Sequence, residues 1–181
     1  MGGLKCLVGI LLPLVLSVSC MSDGRVDDDG RIVEGSRVPI FSTELSVNDP
    51  ADWRFDCVDR FDSYGSDGIR RVIFFFNTQC PDCRKELPAA QELYDSIKED
   101  ETLMMACISR EQGEDEILDY WKQAGLTLPY SAQQDRSIYD LFASSGIPRI
   151  YLIDARGTVR RVYNDRYLPS AAELMGIIGN M

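Results

Sequence analysis

Histidine is absent from the 181 residues of this chain, and its absence excludes several kinds of site. Neither a Ser-His-Asp triad nor a Cys-His pair can operate, and no zinc or haem iron can take an imidazole ligand. Attachment of a c-type haem through a C-x-x-C-H motif is excluded for the same reason. The six cysteines and 29 acidic residues leave thiol and carboxylate chemistry as the available chemistries.

Positive charge is also scarce, because 19 Lys and Arg residues face 29 Asp and Glu residues and the net charge is −10. Such a surface repels the phosphates of nucleic acid and the headgroups of anionic lipid. Hydrophobic residues make up 45% of the chain and charged residues 27%, which is typical of a globular protein. The length suits one domain with a core of its own.

The N-terminal segment predicts export from the cytoplasm. Lys5 precedes an apolar run that ends at Leu16 and is too short and too interrupted by Pro and Gly for a membrane-spanning helix. Small residues follow, which predicts a signal peptide over residues 1–19. A cysteine directly after the cut resembles the bacterial lipoprotein signal, which implies acylation of Cys20, although Ser17 stands where that signal usually has Leu. The alternatives are plain secretion and a retained membrane anchor.

The rest of the chain predicts a short tether and one α/β domain. Residues 20–36 are acidic, glycine-containing and poor in apolar residues, so a lipidated cysteine followed by a flexible tether is expected there, with the domain over residues 37–181. The alternating hydrophobic period of that domain predicts a central mixed sheet with helices on both faces and an N-terminal β-hairpin. Expected strands are 38–47, 53–58, 69–77, 102–109, 150–154 and 158–163, and expected helices are 81–99, 114–124, 137–144 and 170–179.

The motif Cys80-Pro81-Asp82-Cys83 lies where a buried strand ends and a helix begins, with Pro81 and Asp82 supporting the helix start. A thiolate at Cys80 would be stabilised by the unpaired N–H groups and the dipole of that helix. Cys83 lies one turn later, so the pair predicts a dithiol that attacks a partner disulfide through Cys80 and resolves the mixed disulfide through Cys83. A zinc half-site, which would need two further ligands, and a static disulfide are the alternatives.

Two segments together resemble one family. FFFNTQCPDCRKELP, followed later by GIPRIYLID before a β-hairpin, is similar to the thioredoxin-like thiol–disulfide oxidoreductases of the TlpA/ResA type, which are bacterial-envelope proteins. The resemblance covers about residues 38–181 and implies a thioredoxin-like fold. It implies that Cys80 is the exposed nucleophile and Cys83 the resolving thiol. It also implies that Pro148 is cis beside the disulfide and that Ile147 offers backbone groups to an extended substrate segment.

Several positions depart from that family pattern. Gln79 stands where the family usually has Trp, so the surface that meets the substrate is expected to be more polar. Phe74 stands where thioredoxin has a buried Asp, so that proton acceptor is absent. Asp82 opposes a nearby thiolate, whereas Arg84 and Lys85 favour it. Without a histidine to stabilise the thiolate, we expect a reducing couple, closer to roughly −270 mV than to roughly −120 mV.

Glu86 and Cys107 each have two interpretations. Glu86, three residues after Cys83, is either a proton relay for the resolving thiol or a solvated charge on the helix, and the second interpretation is favoured. Cys107 lies in a buried strand and is expected to be a free thiol that packs as a small hydrophobe. The alternative is a disulfide between Cys57 and Cys107.

The expected function is that of a lipid-anchored thiol–disulfide oxidoreductase of the cell envelope, facing the periplasm or the cell surface. Its expected partners are protein thiols and disulfides and an upstream membrane electron donor, with no cofactor, no metal and no nucleic acid. The resemblance implies apocytochrome c as one substrate class. The alternatives are a thiol peroxidase of the peroxiredoxin type, against which Phe74 counts because that motif needs proline there, and a non-catalytic binding module.

Overall fold

The structure is a computed structural model, and it describes residues 32–49 and 54–181. The predicted signal over residues 1–19 and the predicted lipid attachment at Cys20 lie outside the described residues. Within residues 32–49 and 54–181, no helix is both long enough and apolar enough to cross a membrane.

One mixed sheet organises the described part of the chain. Its seven strands lie in the order β2-β1-β5-β4-β3-β6-β7, with β3 parallel to β4 and antiparallel to β6. The strands are β1 Ser42–Asp49, β2 Arg54–Asp62, β3 Arg70–Phe76, β4 Leu103–Ser109, β5 Tyr130–Ser131, β6 Arg149–Ile153 and β7 Val159–Tyr163. The helices are α1 Pro81–Ile97, α2 Glu114–Ala124 and α3 Ala171–Ile178, with a 3-10 helix at Tyr139–Leu141.

This architecture confirms the predicted α/β class, the mixed sheet and the antiparallel hairpin of β1 and β2 that precedes it. One element is shorter than expected, because the helix predicted over residues 137–144 is a single 3-10 turn. The N–H groups of Leu141 and Phe142 donate to carbonyls three residues earlier, and the carbonyl of Phe142 accepts instead from the distant N–H of Ile32, so the turn does not continue as an α-helix. Another element, β5, is only two residues long and pairs with β4 on one side and β1 on the other.

Successive side chains of β3 point to opposite faces of the sheet, and helical segments cover the apolar side chains on both faces. Phe76 packs against Trp121 of α2, with ring centroids 5.0 Å apart. Phe75 packs on the other side against Tyr139 of the 3-10 helix, at 5.3 Å. The helix α1 contacts both α2 and α3, so the three α-helices share the first face. A central strand buried on both faces accounts for the continuous apolar run in the sequence.

The packed part of the chain already includes residues 32–36, which the sequence assigns to the tether. The backbone N–H of Ile32 donates to the carbonyl of Phe142 at 2.8 Å, and that of Gly35 donates to the carbonyl of Val159 at 2.8 Å. Ser36 is completely buried. The first bond ties this segment to the 3-10 helix and the second ties it to β7, so residues 32–36 pack with the domain that the sequence predicts to begin at residue 37.

The sheet also separates the two cysteines for which a disulfide was considered. Cys57 lies in β2 and Cys107 in β4, and both β1 and β5 lie between these strands. Three strand spacings amount to roughly 14 Å. A disulfide needs Cα atoms within about 7 Å of each other. Cys107 is a free, fully buried thiol, as expected.

Three segments meet at one end of the central strands of the sheet. The parallel strands β3 and β4 end there, and β6 begins there because it runs antiparallel to β3. The loop after β3 leads directly into α1, and the loop before β6 contains the Gly-Ile-Pro motif. The topology therefore brings residues 77–83, 110–112 and 145–149 to one place.

Candidate active site

Cys80 is the N-cap residue of α1. Its sulfur accepts a hydrogen bond from the backbone N–H of Cys83, with 3.3 Å between the sulfur and the nitrogen. Pro81 fills the first helical position, where a missing N–H removes no intrahelical bond. Both cysteines are free thiols, Cys80 partly exposed and Cys83 completely buried. A negative charge on the Cys80 sulfur would therefore meet the helix N terminus, while Cys83 stays shielded from solvent.

Burial makes Cys83 a weaker acid than an ordinary cysteine. Its pKa is raised first by desolvation and then by the hydrogen bond and the charge of Cys80. Two influences act in the opposite direction, namely a hydrogen bond from the backbone of Asn77 and the positive charge of Arg110. The two thiols of the motif are therefore unequal, and Cys83 needs help to lose its proton at neutral pH.

The charged neighbours of Cys80 on α1 are already paired. Lys85 donates to the carboxylate of Asp82 at 2.7 Å, and this hydrogen bond, followed by the charge of Asp82, raises the pKa of Lys85. The ion pair offsets the negative charge that Asp82 places near the thiolate. The guanidinium of Arg84 donates to the carbonyl of Thr78 and lies over the ring of Tyr120. Arg84 thus braces the loop that precedes the motif.

The loop between β3 and α1 is held by one side chain of its own and one from the segment after β4. The side-chain oxygen of Asn77 accepts from the N–H of Gln79 at 2.8 Å. Gln112, two residues beyond Arg110, accepts from the N–H of Thr78 at 2.8 Å and donates to its hydroxyl at 2.6 Å. Thr78 is buried and Gln79 is exposed. This rigid loop presents Gln79 to solvent beside Cys80, which is the placement expected of a residue that meets substrate.

The Gly-Ile-Pro loop approaches Cys80 from the start of β6. The Ile147–Pro148 peptide bond is cis, as the resemblance implied, and the Cys80 sulfur lies 3.5 Å from the carbonyl oxygen of Ile147. The hydroxyl of Tyr139 donates to the carbonyl of Gly146 at 2.6 Å. The buried guanidinium of Arg149 donates to the carbonyls of Ser145 and Gly146. These bonds fix the loop against the thiol.

Glu86 is buried on α1, so its interpretation as a solvated helix charge is wrong. Only 2% of the residue is exposed, and its Oε1 atom has no hydrogen-bond partner among the described residues. Burial, and to a smaller extent the charge of Glu173, raises the pKa of Glu86 to about 7. Glu86 lies in a narrow cleft with Pro148 before β6, with Tyr163 of β7 and with residues of the loop that precedes α3. A carboxyl group that titrates near neutral pH can accept and return a proton there.

Four residues of the site have no counterpart in the sequence analysis: Arg110, Gln112, Tyr139 and Arg149. Arg149 could have been found from the sequence. It directly follows the Gly-Ile-Pro motif and is the first residue of an apolar strand, and a buried charge there needs hydrogen-bond partners. The other three reach the site only through long-range contacts. In the part of the chain that the structure describes, no three Cys, Asp or Glu residues lie close enough together to hold a metal ion.

Comparisons with known proteins agree with this geometry. The model of the AhpC/TSA family matches residues 51–162. Sporulation thiol-disulfide oxidoreductase A of Bacillus subtilis is 25% identical over 96 residues, which cover 52% of this chain and 58% of that protein. The chain therefore spans less than two thirds of that relative's length. Thiol-disulfide oxidoreductase ResA of Oceanobacillus iheyensis is 26% identical over 154 residues, which cover 84% of this chain and 77% of that protein.

A solved structure shows the same fold. The crystal structure of a thiol:disulfide interchange protein of the thioredoxin family from Chlorobium tepidum TLS matches with a TM-score of 0.63 and 23% sequence identity. The match covers 80% of this chain and 94% of that chain. The fold is therefore thioredoxin-like, and the edge of the sheet that holds the two thiols is its candidate active site.

Proposed function

Because this chain belongs to the AhpC/TSA family, we propose that it is a thiol–disulfide oxidoreductase whose Cys80–Cys83 dithiol reduces disulfide bonds in other proteins. One observation carries the proposal: the partly exposed sulfur of Cys80 lies at a helix N terminus and 3.5 Å from the carbonyl oxygen of Ile147. Curated relatives named thiol-disulfide oxidoreductases support it.

The first step is an attack by the Cys80 thiolate on one sulfur of the partner disulfide. A bond forms between that sulfur and the Cys80 sulfur, the disulfide of the partner breaks, and its second sulfur leaves as a thiolate. The N–H of Cys83, which already donates to the Cys80 sulfur, stabilises the attacking anion. The product of this step is a mixed disulfide between Cys80 and the partner.

The second step is resolution by Cys83. Its thiolate attacks the Cys80 sulfur, the Cys80–Cys83 disulfide forms, and the partner's remaining sulfur leaves as a thiolate. Two electrons have then passed from the dithiol to the partner. Glu86, one helical turn beyond Cys83, accepts the proton that Cys83 loses, because its pKa of about 7 lets it act as a base at neutral pH.

Partner binding uses the backbone of the Gly-Ile-Pro loop. The residues proposed to contact the partner are Ile147, Pro148 and Gln79. An extended segment that pairs with the Ile147 backbone would place its own cysteine beside Cys80, by addition of a strand. Gln79, which directly precedes Cys80, is exposed, and its amide favours a polar partner surface.

The proposed location is the bacterial cell envelope, with a lipid on Cys20 as the anchor and an upstream membrane protein as the electron donor. The signal-like sequence before Cys20 supports this location. Apocytochrome c thiols are one proposed substrate class. Replacing Cys20→Ser is expected to move the exported protein from the membrane fraction to the soluble fraction. A variant that stays in the membrane fraction would contradict lipid anchoring at this residue.

The proposed activity is tested by reduction of insulin disulfides with the detergent-solubilised full chain and dithiothreitol as the electron source. Wild type is expected to accelerate insulin precipitation, and Cys80→Ser is expected to abolish the acceleration. Cys107→Ala serves as the matched control, because Cys107 lies in β4 outside the Cys80–Cys83 motif and its loss should leave activity within about twofold. Turnover that survives in Cys80→Ser contradicts the proposal. Peroxide consumption by Cys80 in a Cys83→Ser variant would favour the peroxidase instead.

A further inference from the structure

Arg110, the first residue after β4, is fixed beside the active-site loop by contacts on both sides. Its backbone N–H donates to the carbonyl of Phe76 at 2.8 Å, and its own carbonyl accepts from the side chain of Asn77 at 3.0 Å. Its guanidinium carbon lies 5.1 Å from the ring centroid of Tyr139. Arg110 is thus held against the two residues that lead from β3 into the Cys80-Cys83 loop.

The charge of this guanidinium is weakly paired. Its Nε atom is buried and has no hydrogen-bond partner among the described residues, and the nearest carboxylate oxygen, on Glu111, lies 3.7 Å away. Glu111 has a φ of +57°, a left-handed conformation that a residue with a side chain seldom adopts. Buried donors without partners and strained residues are both rare, and they tend to cluster at functional sites.

Other cations near the motif are more firmly engaged. Lys85 pairs with Asp82 at 2.7 Å, and the guanidinium of Arg84 donates to the carbonyl of Thr78. Arg136, which also lies over the ring of Tyr139, pairs with Asp140 at 3.0 Å. The positive charge of Arg110 is therefore less compensated by nearby partners than the charges of these neighbours.

Asn77 connects Arg110 with the resolving thiol, because its side chain donates to the carbonyl of Arg110 while its backbone bonds Cys83. Cys83 faces the sulfur of Cys80 on its own helix, the backbone of Asn77 at the end of β3 and the charge of Arg110 after β4. Burial and Cys80 raise the pKa of Cys83, whereas Asn77 and Arg110 lower it. Glu86, on the same helix, is the carboxyl group assigned above to accept the proton.

We propose that Arg110 is a positioning residue for the resolving step, where its guanidinium charge stabilises the thiolate of Cys83 as that thiolate attacks the Cys80 sulfur. The inference rests on the proposed function. The atoms balance as in that step: the Cys83–Cys80 bond forms, the bond between Cys80 and the partner sulfur breaks, and the partner leaves as a thiolate. Arg110 itself gains and loses no bond.

The test separates the two chemical steps with the full chain and Ellman's reagent, an aromatic disulfide, in a single turnover. The first release of coloured thiolate reports attack by Cys80, and the second reports resolution by Cys83. Each phase is assigned by its loss in Cys80→Ser or Cys83→Ser. Arg110→Met is expected to slow the second phase roughly tenfold near neutral pH, equivalent to about one unit in the pKa of Cys83. The pH profile of that phase should move to higher pH while the first phase is unchanged.

Two further variants distinguish charge from packing. Arg110→Lys keeps the charge and should restore most of the second-phase rate and its pH profile, because a point charge suffices for this role. Arg136→Met removes a similar side chain from the same ring and should leave the second phase within about twofold. Thermal unfolding of each variant reports any loss of folded protein separately.

The outcomes also separate this inference from the proposed function. A second phase that is equally slow in Arg110→Met and Arg136→Met, or a pH profile that does not move, overturns the role of Arg110 while the dithiol mechanism stands. A wild-type protein that shows no second phase and does not reduce insulin overturns the dithiol mechanism itself. A slow, alkaline-shifted second phase in Arg110→Met with recovery in Arg110→Lys supports the inference.

Discussion

The sulfur of Cys80 lies 3.5 Å from the carbonyl oxygen of Ile147, although 67 positions separate the two residues in the sequence. The contact exists because β6 runs antiparallel to β3 and begins where β3 ends. A partner segment that pairs with the backbone at Ile147 is therefore delivered to the nucleophile. The proposed chemistry and the proposed partner binding therefore share this one contact.

Thiol reactivity should follow burial. Iodoacetamide is expected to label Cys80 at least roughly tenfold faster than Cys83 or Cys107 in the reduced protein at pH 7. Cys80 is partly exposed at a helix N terminus, whereas Cys83 and Cys107 are buried and desolvation raises the pKa of both. Peptide mapping after timed quenching gives the three rates. Comparable labelling of Cys80 and Cys83 would show that the two thiols are not differentiated in the way described.

The buried carboxyl of Glu86 should make stability depend on pH. Its pKa is about 7 in the folded protein, against an ordinary value of 4.5, so the folded state retains a proton that the unfolded chain releases. Stability from this group is full below pH 4.5 and falls as the pH rises to about 7. Between pH 5 and pH 8, Glu86→Gln should therefore gain roughly 2 kcal/mol relative to wild type.

Urea unfolding at several pH values measures this difference. Glu92→Gln, an exposed position on the same helix, is the matched control and should change the free energy of unfolding by less than about 0.5 kcal/mol at every pH. A constant difference between Glu86→Gln and wild type across this range would mean that Glu86 titrates normally. The same variant should also lose part of the second-phase rate with Ellman's reagent, because its amide cannot accept the proton of Cys83.

Gly146 should be needed for both stability and turnover. Its φ is +80°, and a Cβ atom there would lie 3.1 Å from a carboxylate oxygen of Asp165. Gly146→Ala is expected to cost about 1–2 kcal/mol and to lower insulin reduction, since the displaced loop carries Ile147 and Pro148. Gly125→Ala is the control, because its φ is +68° with no atom within 4 Å and it ends α2 away from the thiols. Equal loss of activity in both variants would argue against a specific role of the loop.

Much of the fold could be predicted because its signals are local. The run of apolar residues in β3 and the helical spacing after Cys80 each lie within one segment, and both elements occur within two residues of the predicted ends. Gly125, which follows the last residue of α2, gave its predicted C terminus in the same way. The Cys80-Pro81-Asp82-Cys83 motif could also be placed from local signals, because the strand, the loop and the start of the helix are contiguous in the sequence.

The remainder of the site depends on contacts between distant segments, which one sequence does not reveal. Glu86 was favoured as a solvated helix charge because it is charged, but it lies on the buried face of α1, where Pro148, β7 and the loop before α3 surround it. Arg110 meets the loop after β3, and Tyr139 meets the Gly-Ile-Pro loop, only through contacts between segments distant in the sequence. The helix predicted over residues 137–144 is a single 3-10 turn, because long-range contacts such as the hydrogen bond from the N–H of Ile32 to the carbonyl of Phe142 fix this segment.

The most direct test of the central claim is to trap the mixed disulfide. The Cys83→Ser variant of the full chain, expressed in its native host and alkylated before lysis, is expected to carry partner proteins linked through Cys80, which mass spectrometry of the reducible complexes would identify. The linkages should disappear in a Cys80→Ser, Cys83→Ser double variant. If Cys83→Ser accumulates no complex through Cys80, or if the same complexes form without Cys80, the proposed dithiol exchange is contradicted.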